Sequence, residues 1–434
     1  MSPASPFPRI AIVGGGWAGL AAGVWLARHG APITLFEAGR EAGGRARLVR
    51  ARDGETDNGQ HILLGAYTEV LGMMETVSPG SAQRHFLRLP LTLDFPGHFH
   101  LALPRLPTPL NLALGLLAAR GLSFKTKWAI ARLMGRVRSP EFRALPDYSA
   151  AQLLASQPKA AIDYLWAPLC LSALNTPLHK ASANIFANVL KDALSGPRSR
   201  SDMLLPRTDL SRLFPVPAIG DIEHHGGEVR LGTRISTITA AIHGIDLESH
   251  GRTWRFDRVI LACAPHHAAH LLTPLPDMQD TCRALRAFRY QPIVTAYLDY
   301  PEAVTLPFPF IGLADEAAHF AFDQRYTHSR AGRLAVVTSA EHIAPPNGQL
   351  GRIRHIHQTL QDSVGPLPEP NAWRIIEEKR ATFECSAGLK RPGNATESPK
   401  VYLAGDYTLG PYPATLEGAV RSGVQCAQLL WSKA

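Results

Sequence analysis

The sequence predicts an α/β protein in which a parallel-sheet domain is interrupted by an inserted α+β domain. Two segments at opposite ends of the chain carry this prediction. Residues 9–48 contain an apolar strand, a glycine-rich turn, a helix and a second strand that ends in an acid. Residues 401–423 contain an apolar strand, a Gly-Asp turn and a helix that begins near Ala414. Because both ends fit one sheet domain, the chain must leave that domain and return, and we expect discontinuous domains.

A glycine-rich turn follows the first predicted strand. Gly14, Gly16 and Gly19 have the G-x-G-x-x-G spacing between an apolar run and an Ala/Leu-rich helix. This spacing lets backbone amides at the N-terminus of a helix approach a pyrophosphate. Glu37 follows the predicted strand ITLF, where a carboxylate can accept hydrogen bonds from ribose hydroxyls. We therefore predict a dinucleotide site, to which we also assign Trp17, Ala18 and Ala38.

Two further segments indicate that the dinucleotide is FAD. Arg45 lies in the EAGGR segment after the predicted ribose-binding acid, where a guanidinium can bind a diphosphate through charge-assisted hydrogen bonds. We expect Asp406, in the C-terminal Gly-Asp turn, to bind the ribityl or phosphate region. The helix that follows should direct its amides at the pyrimidine end of the flavin. The predicted FAD residues of these segments are Gly44, Arg45, Gly405, Asp406, Thr415 and Leu416.

Together these motifs resemble the flavin-containing amine oxidase and phytoene desaturase superfamily, whose FAD lies in a Rossmann-like domain of the glutathione-reductase type. Within it, the chain resembles the squalene-associated FAD-dependent group, the bacterial hydroxysqualene dehydroxylases of hopanoid biosynthesis. Three segments carry this resemblance: DNGQHILLGAY (57–67), WAPLCLSALNTP (166–177) and PATLEGAVRSG (413–423). The group usually has Trp after the Gly-Asp pair, whereas this chain has Tyr407.

The resemblance implies a reaction and further flavin contacts. Hydride from reduced FAD would replace the hydroxyl of hydroxysqualene, giving squalene. The NGQH turn would lie beside the flavin ring, which assigns Gly59, Gln60 and His61 to the FAD site. Ile235 would place its backbone against the adenine. We expect FAD to be bound non-covalently, because the segment 406–416 contains no cysteine.

The implied reaction needs an acid, since protonating a hydroxyl makes water the leaving group. His61 and Asp57 are the candidate catalytic residues, and imidazole titrates near neutrality. Each has an alternative role, His61 in bonding the backbone under the flavin and Asp57 at the end of a strand. Trp166 and Tyr412 are candidate aromatic faces for an allylic cation, and Asn175 is a candidate for orienting the substrate hydroxyl. Their alternatives are core packing for the aromatic residues and capping a turn for Asn175.

The motif positions also predict a division into domains. The FAD-binding domain would comprise 7–79, 205–265 and 375–434, and the substrate domain 80–204 and 266–374. Strands are expected within 226–238 and 258–265, and a loop at 206–217 would return the chain to the FAD-binding domain. We expect the first substrate block to be helical and the second to mix strands and helices.

The formal charge of +9 is concentrated in one segment. Residues 101–145 contain a single acid, Glu141, and eight basic residues: Arg105, Arg120, Lys125, Lys127, Arg132, Arg136, Arg138 and Arg143. The same segment includes the apolar run LNLALGLLAA, which is too short to span a bilayer. Residues 105–143 are therefore a candidate surface for peripheral contact with an anionic membrane, the alternative being an ordinary solvated face. We expect no nucleic-acid binding, because aromatic residues do not interleave with these charges.

Composition limits the remaining possibilities. The five cysteines are scattered without a C-x-x-C pair, which predicts neither a disulfide scaffold nor a metal site. A cytoplasmic protein fits this pattern, either free or peripheral on the inner face of the cell membrane. No apolar run reaches the roughly twenty residues of a spanning helix.

Other functions remain open at this point. A carotenoid-type desaturase would act on a similar polyisoprenoid with the flavin running in the oxidising direction. An amine oxidase would place an aromatic residue where this chain has Thr415. A non-catalytic prenyl-binding escort would lack the complete set of FAD motifs, which this chain retains. The chain has one dinucleotide fingerprint, so a dehydroxylase would need a separate electron donor or a transient visit by a nicotinamide.

Overall fold

The computed structural model describes residues 7–51, 54–139, 142, 146–315, 319–340 and 348–433. The strands are β1 (Ile10–Val13), β2 (Ile33–Phe36), β3 (Leu48–Ala51), β4 (Gly54–Asp57), β5 (Leu63–Leu64), β6 (Phe86–Leu89), β7 (Thr92–Phe95), β8 (Phe99–Ala102), β9 (Met203–Pro206), β10 (Glu228–Arg230), β11 (Thr237–Ala241), β12 (Gly244–Ser249), β13 (Arg252–Phe256), β14 (Arg258–Leu261), β15 (Tyr290–Asp299), β16 (Phe310–Gly312), β17 (Phe320–Asp323), β18 (Arg333–Ser339), β19 (Ala372–Phe383) and β20 (Val401–Leu403).

The helices are α1 (Trp17–Arg28), α2 (Thr68–Val77), α3 (Ser81–Arg84), α4 (Leu110–Ala118), α5 (Phe124–Arg138), α6 (Ala150–Leu153), α7 (Lys159–Ala161), α8 (Ala167–Leu174), α9 (Ala183–Leu194), α10 (Leu210–Leu213), α11 (Pro215–His224), α12 (Pro265–Leu272), α13 (Gln279–Arg286), α14 (Gly348–Val364) and α15 (Leu416–Trp431). A π-helical turn, Ile162–Trp166, leads into α8. None of the helices in these described ranges is long and apolar enough to cross a membrane.

A five-stranded parallel sheet in the order β10-β2-β1-β14-β20 forms the centre of the first half of the fold. β1 is buried along its whole length, because it pairs with β2 on one side and β14 on the other. β20 joins beyond β14, so the C-terminal motif enters the same sheet as the glycine-rich turn. This topology confirms the predicted α/β class with a Rossmann-like sheet built from distant parts of the chain.

Helices α1 and α15 pack against this sheet and share one buried hydrophobic cluster with it. Leu20 and Val24 of α1 belong to that cluster together with Val420 and Cys426 of α15, and all four are buried. The close packing of these two helices places both of their N-termini near the carboxyl end of the sheet. Ligands of open parallel sheets bind at this edge, which locates the candidate site.

A second sheet lies outside the parallel one. It is antiparallel, in the order β16-β17-β18-β15-β19, and β15 pairs with both β18 and β19 along most of its length. The predicted division between residues 374 and 375 falls inside β19, and the one between 204 and 205 falls inside β9. Because β19 pairs with β15, it belongs to the second sheet along its length. The chain therefore returns to the parallel sheet after β19 and not at residue 375.

One sequence expectation is wrong in its local structure. The segment 206–217, expected to be a returning loop, contains α10 and the start of α11. Asp209 caps α10 by accepting a hydrogen bond from the Arg212 amide, and Pro215 occupies the first position of α11. Proline at that position loses no helical hydrogen bond and has the required φ, so a proline-rich segment here starts a helix. The block before it also includes strands β6, β7 and β8 among its helices.

Candidate active site

The glycine-rich turn connects β1 to α1 at the carboxyl end of the parallel sheet. A Cβ atom at Gly19 would lie 2.0 Å from the Gly14 carbonyl oxygen, so only glycine lets α1 pack this closely on the turn. Gly16 is the N-terminal cap of α1, and a Cβ there would meet no protein atom nearer than 4.0 Å. The space in front of Gly16 is therefore open to a ligand, and the free amides of the first helical turn face it.

Glu37 closes the turn from the end of β2. One carboxylate oxygen accepts a hydrogen bond from the Gly15 amide at 2.7 Å, and the other accepts one from the Gly39 amide at 2.6 Å. These bonds fix the carboxylate beside the turn at the position expected for a ribose-binding acid.

The EAGGR segment lies directly against the turn. The Gly43 amide donates to the Gly15 carbonyl at 2.7 Å, so the two glycine segments run side by side. The Arg45 guanidinium pairs with the Asp406 carboxylate at 2.7 Å and donates to the Ala381 carbonyl at 2.7 Å. Burial alone would lower the pKa of Arg45, but the charge and hydrogen bond of Asp406 raise it above its usual value. The N-terminal and C-terminal motifs are thus joined by an ion pair.

A partly buried arginine that sequence reasoning did not single out holds the C-terminal loop. The Arg391 guanidinium donates to the backbone carbonyls of Asp406 and Tyr412 at 2.6 Å each. It also reaches the carbonyls of Tyr407 at 3.3 Å and Gly410 at 3.1 Å. Burial lowers the pKa of this guanidinium. Arg391 therefore shapes the whole loop between β20 and α15, and no local sequence signal marks this role.

The loop ends at the N-terminus of α15. Thr415 is the N-terminal cap, and its hydroxyl accepts a hydrogen bond from the Gly418 amide at 3.1 Å. Leu416 begins the helix one residue later. The sequence placed this helix start within two residues, and it opens onto the same cavity as the glycine-rich turn.

A single cavity of about 1570 Å³ connects these elements. Ligand pockets for one small molecule have about 300–1,000 Å³, so this cavity has room for more than a cofactor. The predicted FAD residues that line it are Gly14, Gly16, Trp17, Ala18, Glu37, Ala38, Gly44, Arg45, Gly59, Gln60, His61, Ile235, Gly405, Asp406, Thr415 and Leu416. Gly19 does not line it, because it is packed against the turn.

Beyond the glycine-rich end, the cavity continues into an apolar compartment of the second half of the fold. Helices α8 and α9 and strands β15 to β18 contribute its walls. The aliphatic and aromatic lining residues there include Leu91, Leu169, Phe186, Val189, Leu190, Leu194, Ile293, Phe310, Phe320 and Val337. A long hydrocarbon would bury its surface favourably in such a compartment.

All four residues of the NGQH turn line the cavity. The His61 ring Nδ1 lies 2.9 Å from the Gly59 carbonyl, which orients the imidazole while leaving His61 in the cavity wall. Gln60 pairs with the Gln324 amide at 3.3 Å. His61 is therefore placed to contact a ligand, and its role as an acid stays a prediction.

Asp57 requires a correction, because it lies outside the cavity lining. Its carboxylate accepts a hydrogen bond from the Leu210 amide at 2.9 Å and approaches His328 Nε2 at 3.3 Å. Its backbone carbonyl accepts a hydrogen bond from the Tyr297 hydroxyl at 3.1 Å. Asp57 thus connects β4 to α10 and to the second sheet, which is the structural role weighed against catalysis.

The three predicted substrate residues have different positions. Trp166 is buried outside the cavity lining, and its indole N–H donates to Gln157 at 3.1 Å, so we reassign it to the core. Asn175 and Tyr412 do line the cavity. The Asn175 amide donates to Thr382 at 2.9 Å, while its buried carbonyl oxygen has no hydrogen-bond partner among the described residues.

Tyr412 has a partner that the sequence did not indicate. Its hydroxyl donates a short hydrogen bond to the carboxylate of Asp192 in α9, which also lines the cavity. Burial, together with the Asp192 carboxylate, raises the pKa of Tyr412 above its usual value. The Arg421 guanidinium lies 4.9 Å from the ring centroid of Tyr412. Asp192 and Tyr412 are thus an acid and a phenol at the cavity wall, 220 positions apart in the sequence.

The residues present fit a dinucleotide flavin. The open space at Gly16 and the free amides at the start of α1 would hold a pyrophosphate, the amides at the start of α15 would face a flavin ring, and the Glu37 carboxylate would bind a ribose. The fold and site therefore define a flavin-dependent oxidoreductase.

Comparison with known proteins agrees. The sequence profile of the family described as flavin containing amine oxidoreductase matches residues 17–430, and the chain belongs to this family. FAD is accordingly its cofactor, and the chain is an FAD-dependent enzyme.

Similar sequences narrow the comparison. The chain is 30% identical to a hydroxysqualene dehydroxylase of Rhodopseudomonas palustris, covering 96% of this chain and 97% of that protein. A hydroxysqualene dehydroxylase of Sinorhizobium fredii is 28% identical, with 98% and 99% covered. A 15-cis-phytoene desaturase of Glycine max is 24% identical, with 98% and 80% covered. The predicted resemblance to the dehydroxylase group and its superfamily is thereby confirmed.

A solved structure supports the fold. Putrescine oxidase bound to putrescine superposes with a TM-score of 0.72 over 98% of this chain and 99% of its own, at 18% identity. Identity this low supports the shared architecture and carries no argument about the substrate.

Proposed function

We propose that this enzyme reduces hydroxysqualene to squalene in bacterial squalene and hopanoid biosynthesis. The observation that carries the proposal is the continuity of the FAD cradle with an apolar compartment, in a chain similar over its length to hydroxysqualene dehydroxylases. Reduced FAD supplies the hydride that replaces the substrate hydroxyl, and the hydroxyl leaves as water after protonation. Atoms balance, since one hydride and one proton convert the alcohol to the hydrocarbon and water.

The chain's own residues have three tasks in this reaction. The apolar compartment holds the two hydrocarbon arms of the substrate and excludes water. Asp192 with Tyr412, or else His61, supplies the proton to the departing hydroxyl. Asn175, whose side chain lines the cavity, orients the substrate hydroxyl.

The proposal is tested by a single turnover without oxygen. The purified enzyme, with its flavin reduced, is mixed with hydroxysqualene in detergent or liposomes, and the extracted lipid is analysed by mass spectrometry. We expect squalene in proportion to the flavin reoxidised. The control is the same enzyme with its flavin oxidised, which should leave the alcohol unchanged. Unchanged alcohol beside flavin that stays reduced would overturn the proposal.

A polyisoprenoid desaturase is the second candidate, favoured by the similarity to 15-cis-phytoene desaturase. A desaturase would use its flavin in the opposite redox direction, with oxidised FAD accepting hydride from the substrate. Oxidised enzyme incubated with phytoene would then reduce its flavin and yield a product with additional double bonds. The same lipid extraction and mass analysis separate the two functions, because one product loses oxygen and the other loses hydrogen.

We propose that a separate protein donates electrons to this flavin. The sequence has one dinucleotide fingerprint, and that fingerprint lines the cavity that we assign to FAD. We place the reaction in a reducing cytoplasm, since the five cysteines are free. Adding NADPH alone should leave the flavin absorbance unchanged, whereas a membrane extract containing reductases should bleach it. Bleaching by NADPH alone would refute the need for a second protein.

A further inference from the structure

Helix α4 carries leucines on both its inner and its outer side. The side packed on the protein carries Asn111 and Gly115, both buried. A Cβ at Gly115 would lie 2.6 Å from the Leu103 side chain, so the helix backbone rests directly on β8 and the residue after it. The opposite side carries Leu110, Leu114 and Leu117 at helical spacing, exposed by 57%, 45% and 61%. Leu112 and Leu116 already pack against the core, and a helix that turns further leucines outward needs an apolar partner on its outer side as well.

Helix α5 extends the same surface. Phe124 is 74% exposed and Trp128 is 59% exposed, one helical turn apart. The Lys127 ammonium donates to the Leu117 carbonyl at 2.6 Å and thereby fixes the end of α4 against α5. We define the α4–α5 face as Leu106, Leu110, Leu114, Leu117, Phe124 and Trp128, which are six of the thirteen exposed large hydrophobic residues among those the structure describes.

Exposed basic residues accompany this face along α5. Within 101–139 the sequence has seven basic residues and no acid. Glu141 and Arg143, counted in the predicted basic segment, lie outside the described residues. Lys125, Arg132 and Arg136 are exposed on α5, and the Arg132 guanidinium lies 6.0 Å from the Trp128 ring centroid. An apolar centre with a basic margin is complementary to an anionic lipid surface, where bulky side chains enter the interface and cations contact the headgroups.

We propose that the α4–α5 face docks the enzyme on an anionic lipid bilayer, with α4 lying in the interface. Helix α9 connects this face to the cavity, because it belongs to the core shared with α5 and also lines the apolar compartment with Phe186 and Leu190. A bilayer at this face therefore places lipid one helix away from the substrate compartment. The docking is independent of the reaction proposed above, since binding can be measured without substrate.

The test is co-sedimentation of the FAD-loaded enzyme with vesicles. One set is pure phosphatidylcholine, and in the other about one lipid in four is phosphatidylglycerol. The apolar variant carries Leu117→Ser and Phe124→Ser, and the charge variant carries Lys125→Gln and Arg132→Gln. The matched control is Ile242→Ser, because Ile242 is 91% exposed on the β11–β12 turn, outside the face. The flavin spectrum shows that each variant is folded.

We expect the wild type and Ile242→Ser to bind the anionic vesicles equally. The apolar variant should bind at least about tenfold more weakly. The charge variant should lose about 25-fold on anionic vesicles, or fivefold per charge, and nothing on phosphatidylcholine. Equal binding of all variants, or no binding by the wild type, would overturn the proposal. A wild type that avoids vesicles and forms dimers, with the apolar variant monomeric in ultracentrifugation, would instead assign the face to a second copy of this chain.

Discussion

Two glycines of the N-terminal turn should have separable roles, and exchanging each for alanine tests the whole interpretation of the site. At Gly19 a Cβ would lie 2.0 Å from the Gly14 carbonyl oxygen, a protein atom that cannot rotate away. At Gly16 the nearest protein atom would be 4.0 Å away, and φ of −75° and ψ of 176° suit any residue. Gly19→Ala should therefore strain the protein itself, whereas Gly16→Ala should obstruct only the bound pyrophosphate.

The expected magnitudes follow from the cost of overpacking, which is about 1–3 kcal/mol. For Gly19→Ala this amount is lost from the free energy of unfolding of the apoprotein, partly offset by the better helix propensity of alanine, about 1 kcal/mol. For Gly16→Ala the same amount appears as a Kd for FAD about 5- to 150-fold higher. The apoprotein should change by less than about 1 kcal/mol, the difference between Gly and Ala as an N-terminal cap.

The assays are urea unfolding of each apoprotein, followed by circular dichroism, and FAD titration followed by flavin fluorescence. Wild-type affinity in Gly16→Ala would refute the assignment of this turn to the pyrophosphate. An apoprotein of Gly16→Ala as destabilised as that of Gly19→Ala would refute the claim that the space before Gly16 belongs to a ligand.

Four further outcomes are expected. Denaturation in urea should release all FAD into the filtrate, since no cysteine lies in 406–416; flavin fluorescence remaining on the protein band of a gel would contradict this. Asp192→Asn should slow the single-turnover reaction by about 10²- to 10⁴-fold with FAD content unchanged, whereas an unaltered rate would leave His61 as the acid. Arg391→Met should remove donors from four carbonyls and lower the unfolding free energy by at least about 1–3 kcal/mol, measured in urea; unchanged stability would show that water replaces the guanidinium. Burial, aided by His267, lowers the pKa of His266 to about 4, so the folded protein resists a proton that the unfolded chain binds below its usual pKa of 6.5. The wild type should therefore lose about 1 kcal/mol more stability than His266→Gln between pH 7 and pH 5, after allowing for partial exposure, and parallel pH profiles would count against this.

The sequence predicted the cofactor half of the molecule closely, for a physical reason. Its signals are local: the strand Ile33–Phe36 ends before Glu37, and the Gly-Asp turn precedes a helix capped by Thr415. A nucleotide-binding unit of this kind needs its glycines, its acid and the start of its helix at fixed sequence spacings. A short segment of sequence is therefore enough to predict its geometry.

The catalytic half was less predictable because its contacts form between distant elements. In the sequence, Asp192 is an ordinary polar residue of an amphipathic helix, and only the fold places Tyr412 against it. The role of Arg391 likewise depends on the loop that surrounds its guanidinium in the folded protein. Asp57 and Trp166 are the opposite case, in which a sequence signal suggested a role that the contacts do not support. Both lie in segments typical of the dehydroxylase group, but their hydrogen-bond partners lie outside the cavity. Composition indicates which residue types are available, whereas tertiary contacts decide which of them face a ligand.

The ion pair between Arg45 and Asp406 joins residues 361 positions apart, and it has a consequence for biosynthesis. During translation the glycine-rich turn leaves the ribosome long before β20, the loop held by Arg391 and α15. Until β20 has been made, a nascent chain has only the N-terminal half of its FAD site, and the position of β20 beside β14 is vacant. We therefore expect stable FAD binding only after α15 has been synthesised and has packed on α1, so that cofactor binding reports the joining of the two distant motifs.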